Sequence, residues 1–151
     1  MAVQSRLDID ITPFFLSGNV LTKDSEIIAQ DAGRTEDLLQ YTLMAQIAAD
    51  KKWVPFTDET ATYGTAIVKG IYTGGDIDAA AIAAGDVEDI AIVVGGSTAT
   101  FAEDKLIIEN SKTLDTIIEA GTINAHRVED DLNGIGLYPE STVDISSYET
   151  I

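Results

Sequence analysis

A chain of 151 residues with 45% hydrophobic content is the size of one domain and can bury roughly 70% of its unfolded surface, which excludes a globally disordered polymer. Nine basic residues against 26 acidic ones leave a formal charge of −17, and the basic residues are scattered, so a nucleic-acid partner is not expected. The absence of cysteine removes disulfides, thiolate nucleophiles and Cys-ligated zinc, and the longest apolar runs fall far short of the roughly 20 residues of a bilayer span, so no membrane partner is expected.

The leading stretch MAVQSRLDIDITPFF has no basic flank ahead of a long apolar block, so no signal peptide is expected. Residues 1 to about 28 read as an arm. Leu7, Ile9 and Ile11 alternate with Asp8, Asp10 and Thr12; Pro13, the exposed-looking pair Phe14-Phe15 and a polar break at Ser17 to Asn19 follow. Strict alternation is the mark of a half-buried strand, and a strand at a chain terminus can wait for a partner to supply its other edge.

In DLLQYTLMAQIAA the odd positions Leu39, Tyr41, Leu43, Ala45 and Ile47 are apolar while Gln40, Thr42 and Gln46 are polar. The period of two outscores the helical spacing, so this window predicts a strand. A turn at Ala49 to Lys52 leads into Trp53-Val54-Pro55-Phe56, a hairpin in which Pro55 marks an edge or a strand end. AIVKGIYTGG predicts a short strand with a glycine inside it, and DIDAAAIAAGDVED at most one or two helical turns, capped by Asp76 or Asp78 and ended by Gly85.

Ile90 to Val94 has no polar residue, which predicts a strand buried on both faces. The following Gly95-Gly96 lacks the third glycine or the lysine of a phosphate cradle and is expected to be a hairpin turn into a strand from Phe101 to Glu109. TLDTIIEAG predicts a short helix or irregular turn. The clearest helix is near residues 123–133: Thr122 stands as N-cap, Ala125, Val128 and Leu132 form one apolar face, and Gly134 stops it. Glu129, Asp130 and Asp131 would then oppose the dipole near its carboxyl end. IGLYPE closes the fold as a last strand.

Catalytic constellations are missing from this inventory. His126 is the only histidine and is expected to pair with Asp130 four residues on; the serines have no G-x-S-x-G elbow, and no acidic cluster has calcium-loop order. The expectation is therefore a protein with no catalytic residues, no metal site and no cofactor.

KKWVPFTDETATYGTAIVKGIYTGG, AAAIAAGDVEDIAIVVGGSTATF and the closing LNGIGLYPE, taken in order, resemble the lambda-like head decoration proteins of tailed bacteriophages. The likeness is one of layout over roughly residues 30–140: a KWVP hairpin, a GTA…KGIY strand, an AAGD turn into an apolar strand, and L-x-x-IG before the last strand. The chain departs from the smallest members by an insertion from about Asn110 to Gly121 and by the tail after Pro139.

The resemblance implies a mainly β fold with one or two short helices (β-rich α+β). Its compact β-barrel or tulip-like body at residues 29–151 would carry the N-terminal strand-forming arm at residues 1–28. It implies a homotrimer that binds the major capsid protein at three-fold or quasi-three-fold positions of the expanded shell, on the capsid exterior, after a soluble phase in the host cytoplasm. The arm residues Leu7, Ile9, Ile11, Phe14 and Phe15 are then the capsid-contacting element, and Trp53 and Phe56 belong to the core or subunit interface of the trimeric body. The residues alone also admit a soluble β-barrel module that stacks a sugar or small ligand on Trp53, Tyr63 and Tyr72.

Overall fold

The computed structural model describes residues 13–141 and is mainly β, with eight strands and two short helices in that span. Two long strands, β1 (Phe15–Ile28) and β5 (Val87–Ala102), run antiparallel along their whole lengths. β5 also pairs with β4 (Val68–Tyr72), β4 with β2 (Leu43–Gln46), and β2 with β3 (Trp53–Pro55), all antiparallel. A single parallel bridge, Ile28 to Trp53, joins β3 back to β1 and closes a five-stranded ring. β8 (Leu137–Glu140) lies parallel to the far half of β5, while β6 (Ile117–Ile118) and β7 (His126–Arg127) form a separate two-stranded ribbon. The helices are α1 (Ala79–Ala84) and α2 (Val128–Gly134).

The ring strands separate two cores because successive residues point to opposite faces. Met44, Trp53, Tyr72, Ile90 and Ile92 fill one cluster, closed by Leu38 and by Ile82 of α1. Leu43, Ala45, Ile71 and Val93, their sequence neighbours, face the other cluster with Phe56, Phe101, Val128, Leu132 and Leu137. The uniformly apolar Ile90–Val94 segment is buried on both faces, as its composition predicts. Gly70 makes room for the plug of the first cluster: a Cβ there would stand 2.6 Å from the Val93 carbonyl, 2.8 Å from Ile92 Cγ2 and 3.4 Å from the Trp53 ring.

Several expected elements end elsewhere. The strand expected across residues 39–47 shrinks to β2, because Tyr41 takes a left-handed φ of 71° and breaks the alternation; Leu38 turns inward and Leu39 outward. The hairpin from β2 to β3 forms as expected, with Lys51 at φ 63° in its turn and Ile47 N–H donating to the Lys52 carbonyl at 2.9 Å.

Gly95-Gly96 is not a hairpin turn. β5 runs straight through it, because the chain between α2 and β8 packs directly against the glycine backbone. Gly96 N–H donates to the Ile135 carbonyl at 2.8 Å, and a Cβ on Gly96 would meet Ala99 Cβ at 2.9 Å and the Asn19 carbonyl at 3.0 Å. The expected strand from Phe101 to Glu109 stops at Ala102, where a 3-10 turn over Glu103–Lys105 carries the chain away.

α2 starts at Val128, not near residue 123, because His126 and Arg127 are taken up in pairing with Ile118 and Ile117. Ala125 is exposed rather than part of an apolar face. Glu129, Asp130 and Asp131 consequently occupy the first turn, where the dipole favours them by a few tenths of a kcal/mol each, the reverse of the expected sign. Asp130 Oδ2 accepts the Arg127 backbone N–H at 2.9 Å, which fastens that end.

Candidate functional site

The expected arm divides at the edge of the body. Leu7, Ile9 and Ile11 lie outside the described residues, whereas residues 15–28 are β1 itself. The polar break at Ser17 to Asn19 falls inside this strand; Gly18 absorbs it with φ 79°, its α-carbon so near Ala99 that a Cβ would come within 2.7 Å of Ala99 Cα.

Phe14 and Phe15 do not form an exposed pair. Phe14 is buried, stacked on Tyr41 at a centroid distance of 4.1 Å and on Phe101 at 5.6 Å, and its carbonyl accepts the Ala102 N–H at 2.7 Å. Three aromatic rings in register bury more area inside this chain than any exposed pose would leave, which is why Phe14 turns inward. Phe15 meets Phe14 edge-on at 4.8 Å and is half-buried. Pro13, Phe15, Val20 and Thr22 then line an open groove of about 420 Å³ together with Tyr41 and Thr73. Pro13, where the described residues begin, thus stands at an apolar groove beside β1.

β1 has an open side at this place. Between Leu16 and Ile27 it is bonded to β5 on one side and has no strand on the other among the described residues. Such an edge presents unpaired N–H and C=O groups to any extended segment that approaches. Its register is broken in five places, but Asn19, Val20 and Leu21 run regularly opposite Ser97, Gly96 and Gly95. Because the glycines opposite lack side chains, Leu21 is left 63% exposed, above Gly95 and beside Ile135. Nothing in the hydrophobic pattern marks this edge; its signal is the long polar-rich run Ser17–Ser25, of which only Ser17 to Asn19 reads as a break.

Trp53 and Phe56 belong to the two cores, one in each. The Trp53 indole N–H donates to Glu26 Oε1 at 3.3 Å, so the plug also holds the inner end of β1. Of the three aromatic side chains considered for stacking a ligand, Trp53 and Tyr72 are buried together in the ring and Tyr63 stands exposed elsewhere. Desolvation raises the Tyr72 pKa, and its hydroxyl donates to the Gly75 carbonyl at 2.5 Å.

A cleft of about 320 Å³ opens between Ile28, Val54, Pro55 and Ile82, with Arg34, Asp31 and Asp58 at its rim. Its cation is occupied: the Arg34 guanidinium grips Glu109 at 2.6 and 2.5 Å and donates to the Glu36 and Asp37 carbonyls at 2.7 and 3.2 Å. That geometry fastens a loop and leaves no anion-binding fork.

Among the described residues no three His, Asp or Glu side chains gather as a metal site, and no helix is long and apolar enough to cross a membrane. His126 pairs with Asp131 rather than with the expected Asp130, because the helix begins after it. No known protein-family model matches the chain, and no curated protein matches it significantly.

Proposed function

We propose that this protein is a structural docking module of the head-decoration type: a homotrimer that binds the major capsid protein on the exterior of an expanded phage shell and stabilises it without chemistry. The observation that carries this reading is the open side of β1 next to the point where the alternating segment of residues 5–12 leaves the body. Main-chain pairing at such a place gives affinity with little demand on side chains. Leu7, Ile9 and Ile11 supply the apolar face of the contact, Phe15 and Leu21 the flanking surface, and Phe14 anchors the segment to its own core. Three such contacts on one trimer add as avidity, by a factor on the order of 10² for each linked contact. Acidic chains of −17 each repel one another, which keeps free trimers apart, and physiological salt screens that repulsion beyond roughly 8 Å, so close docking on a complementary patch stays open.

The deciding experiment pairs sedimentation of the purified protein with pelleting on a panel of expanded, undecorated tailed-phage shells. A trimer that pellets with a shell, and a variant lacking residues 1–12 that remains a folded trimer but stays in the supernatant, is the expected result. A monomer, or a truncated protein that pellets as well as the full chain, overturns the reading.

A further inference from the structure

The ring of His126, the only histidine in the sequence, lies between two groups that can only accept. Nδ1 is 2.7 Å from the Asn124 carbonyl oxygen and Nε2 is 2.8 Å from Asp131 Oδ1. A neutral imidazole carries one N–H, so only the imidazolium can donate to both. The other Asp131 oxygen, Oδ2, accepts the backbone N–H of buried Val68 at 3.1 Å. Asn124, His126, Asp131 and Val68 thus form one hydrogen-bonded chain that ties the β7 ribbon and α2 to the start of β4.

We propose that residues 113–127 form a flap over the second core, fastened by doubly protonated His126, and that the flap loosens when the ring loses a proton. Apart from that latch, the flap sets Ile118 and Ala120 in the core, packs Leu114 and Ile123 against it, and reaches the body through Glu119 N–H to the Glu59 carbonyl at 3.1 Å. Val128 N–H to the Thr116 carbonyl at 2.9 Å and Glu129 N–H to the Leu114 carbonyl at 3.0 Å hold it to α2. When one ring proton leaves, a lone pair faces either the Asn124 carbonyl or the Asp131 carboxylate, and that contact turns from attractive to repulsive.

The charges around the ring favour keeping the proton. α2 presents Asp131, Asp130 and Glu129; Arg127 on β7 is bound to Asp115 and Glu129; Lys69, next to Val68 on β4, is exposed to solvent. The bond to Asn124, followed by the bond and charge of Asp131 and the charge of Asp130, raises the His126 pKa above its ordinary 6.5, against the opposing effect of burial. A raised folded-state value means that the latch contributes fully below the unfolded value of 6.5 and is lost as pH rises through the folded one. The device is built from α2, β4 and β7 and stands independently of the docking role of β1.

The test uses the full chain. The carbon-bound proton of the lone imidazole is titrated by NMR while amide exchange, corrected for its intrinsic pH dependence, is followed from about pH 6 to about pH 8.5. The expected result is a His126 midpoint above 6.5, with the protection of the Val68, Glu119 and Val128 amides falling more than about twofold across it while that of Ile92 in β5 holds. His126→Gln should remove the step. A midpoint at or below 6.5, or unchanged protection across it, overturns the proposal, and both readings come from the unmodified protein even if the variant fails to fold.

Discussion

The ring around Trp53 and the flap from residue 113 to residue 127 are held by different forces. In the ring, side chains from β2, β3, β4 and β5 interlock around one indole, and burial of apolar area supplies the stabilisation. In the flap, two-residue strands and ion pairs predominate: Arg127 reaches Asp115 at 3.1 Å and Glu129 at 3.0 Å, and His126 reaches Asp131 at 2.8 Å. Lys112 bonds Glu59 at 2.6 Å just before the flap begins. The ring should therefore respond to changes of volume and hardly to pH or salt, whereas the flap, which buries Ile118 and Ala120 but is latched by ion pairs, should respond to both.

The largest expected effect breaks the ring. Trp53→Ala should lower the unfolding free energy by about 3–5 kcal/mol in equilibrium urea denaturation, because the lost indole leaves a cavity and takes its hydrogen bond from Glu26. Gly70→Ala comes next, at about 1–3 kcal/mol, since the added carbon meets the Val93 backbone and Ile92. An effect near zero for either would show that the interior is looser than the register implies.

These two sites also show where the sequence was legible. The apolar run Ile90 to Val94 and the hairpin around Lys51-Lys52 declared themselves, since each is specified by its own residues. Gly95-Gly96 did not. The same dipeptide serves a turn or a close approach of two backbones, and only the distant Ile135 decides between them. Helix α2 was displaced for a similar reason: Thr122 and Ala125 fit a helix locally, but the pairing of His126 with Ile118 claims the chain first. At the candidate docking place, the alternation of Leu7, Ile9 and Ile11 was visible but falls outside the described residues, while the inward turn of Phe14 depends on Tyr41 and Phe101, far away in sequence. Long-range partners are what a local period does not carry.

Smaller effects sharpen the contrast. Asp130→Ala should cost about 1 kcal/mol by freeing the Arg127 N–H at the start of α2, read by thermal unfolding at pH 7. Leu21→Ser, on the open side of β1, should alter stability by less than about 0.5 kcal/mol, since the side chain has little area to lose. At acid pH the Lys52–Asp86 pair gives the smallest signal. The hydrogen bond from Lys52 lowers the Asp86 pKa below its ordinary 3.8, so its contribution is present above that value and fades as pH falls through the folded-state one. Asp86→Asn should accordingly flatten the acid limb of the stability profile slightly and leave neutral pH almost unchanged, given how exposed the pair is.

The central claim is that the segment ahead of β1 and the open side of β1 are where the protein docks. Hydrogen–deuterium exchange, compared between the free protein and protein bound to an expanded shell, addresses it most directly. Docking at this place should slow exchange on binding for residues 5–12 and for amides between Ser17 and Ser25, with the ring unchanged. Protection that appears at α1 or around the Arg34 cleft instead, while those amides exchange as before, would contradict it.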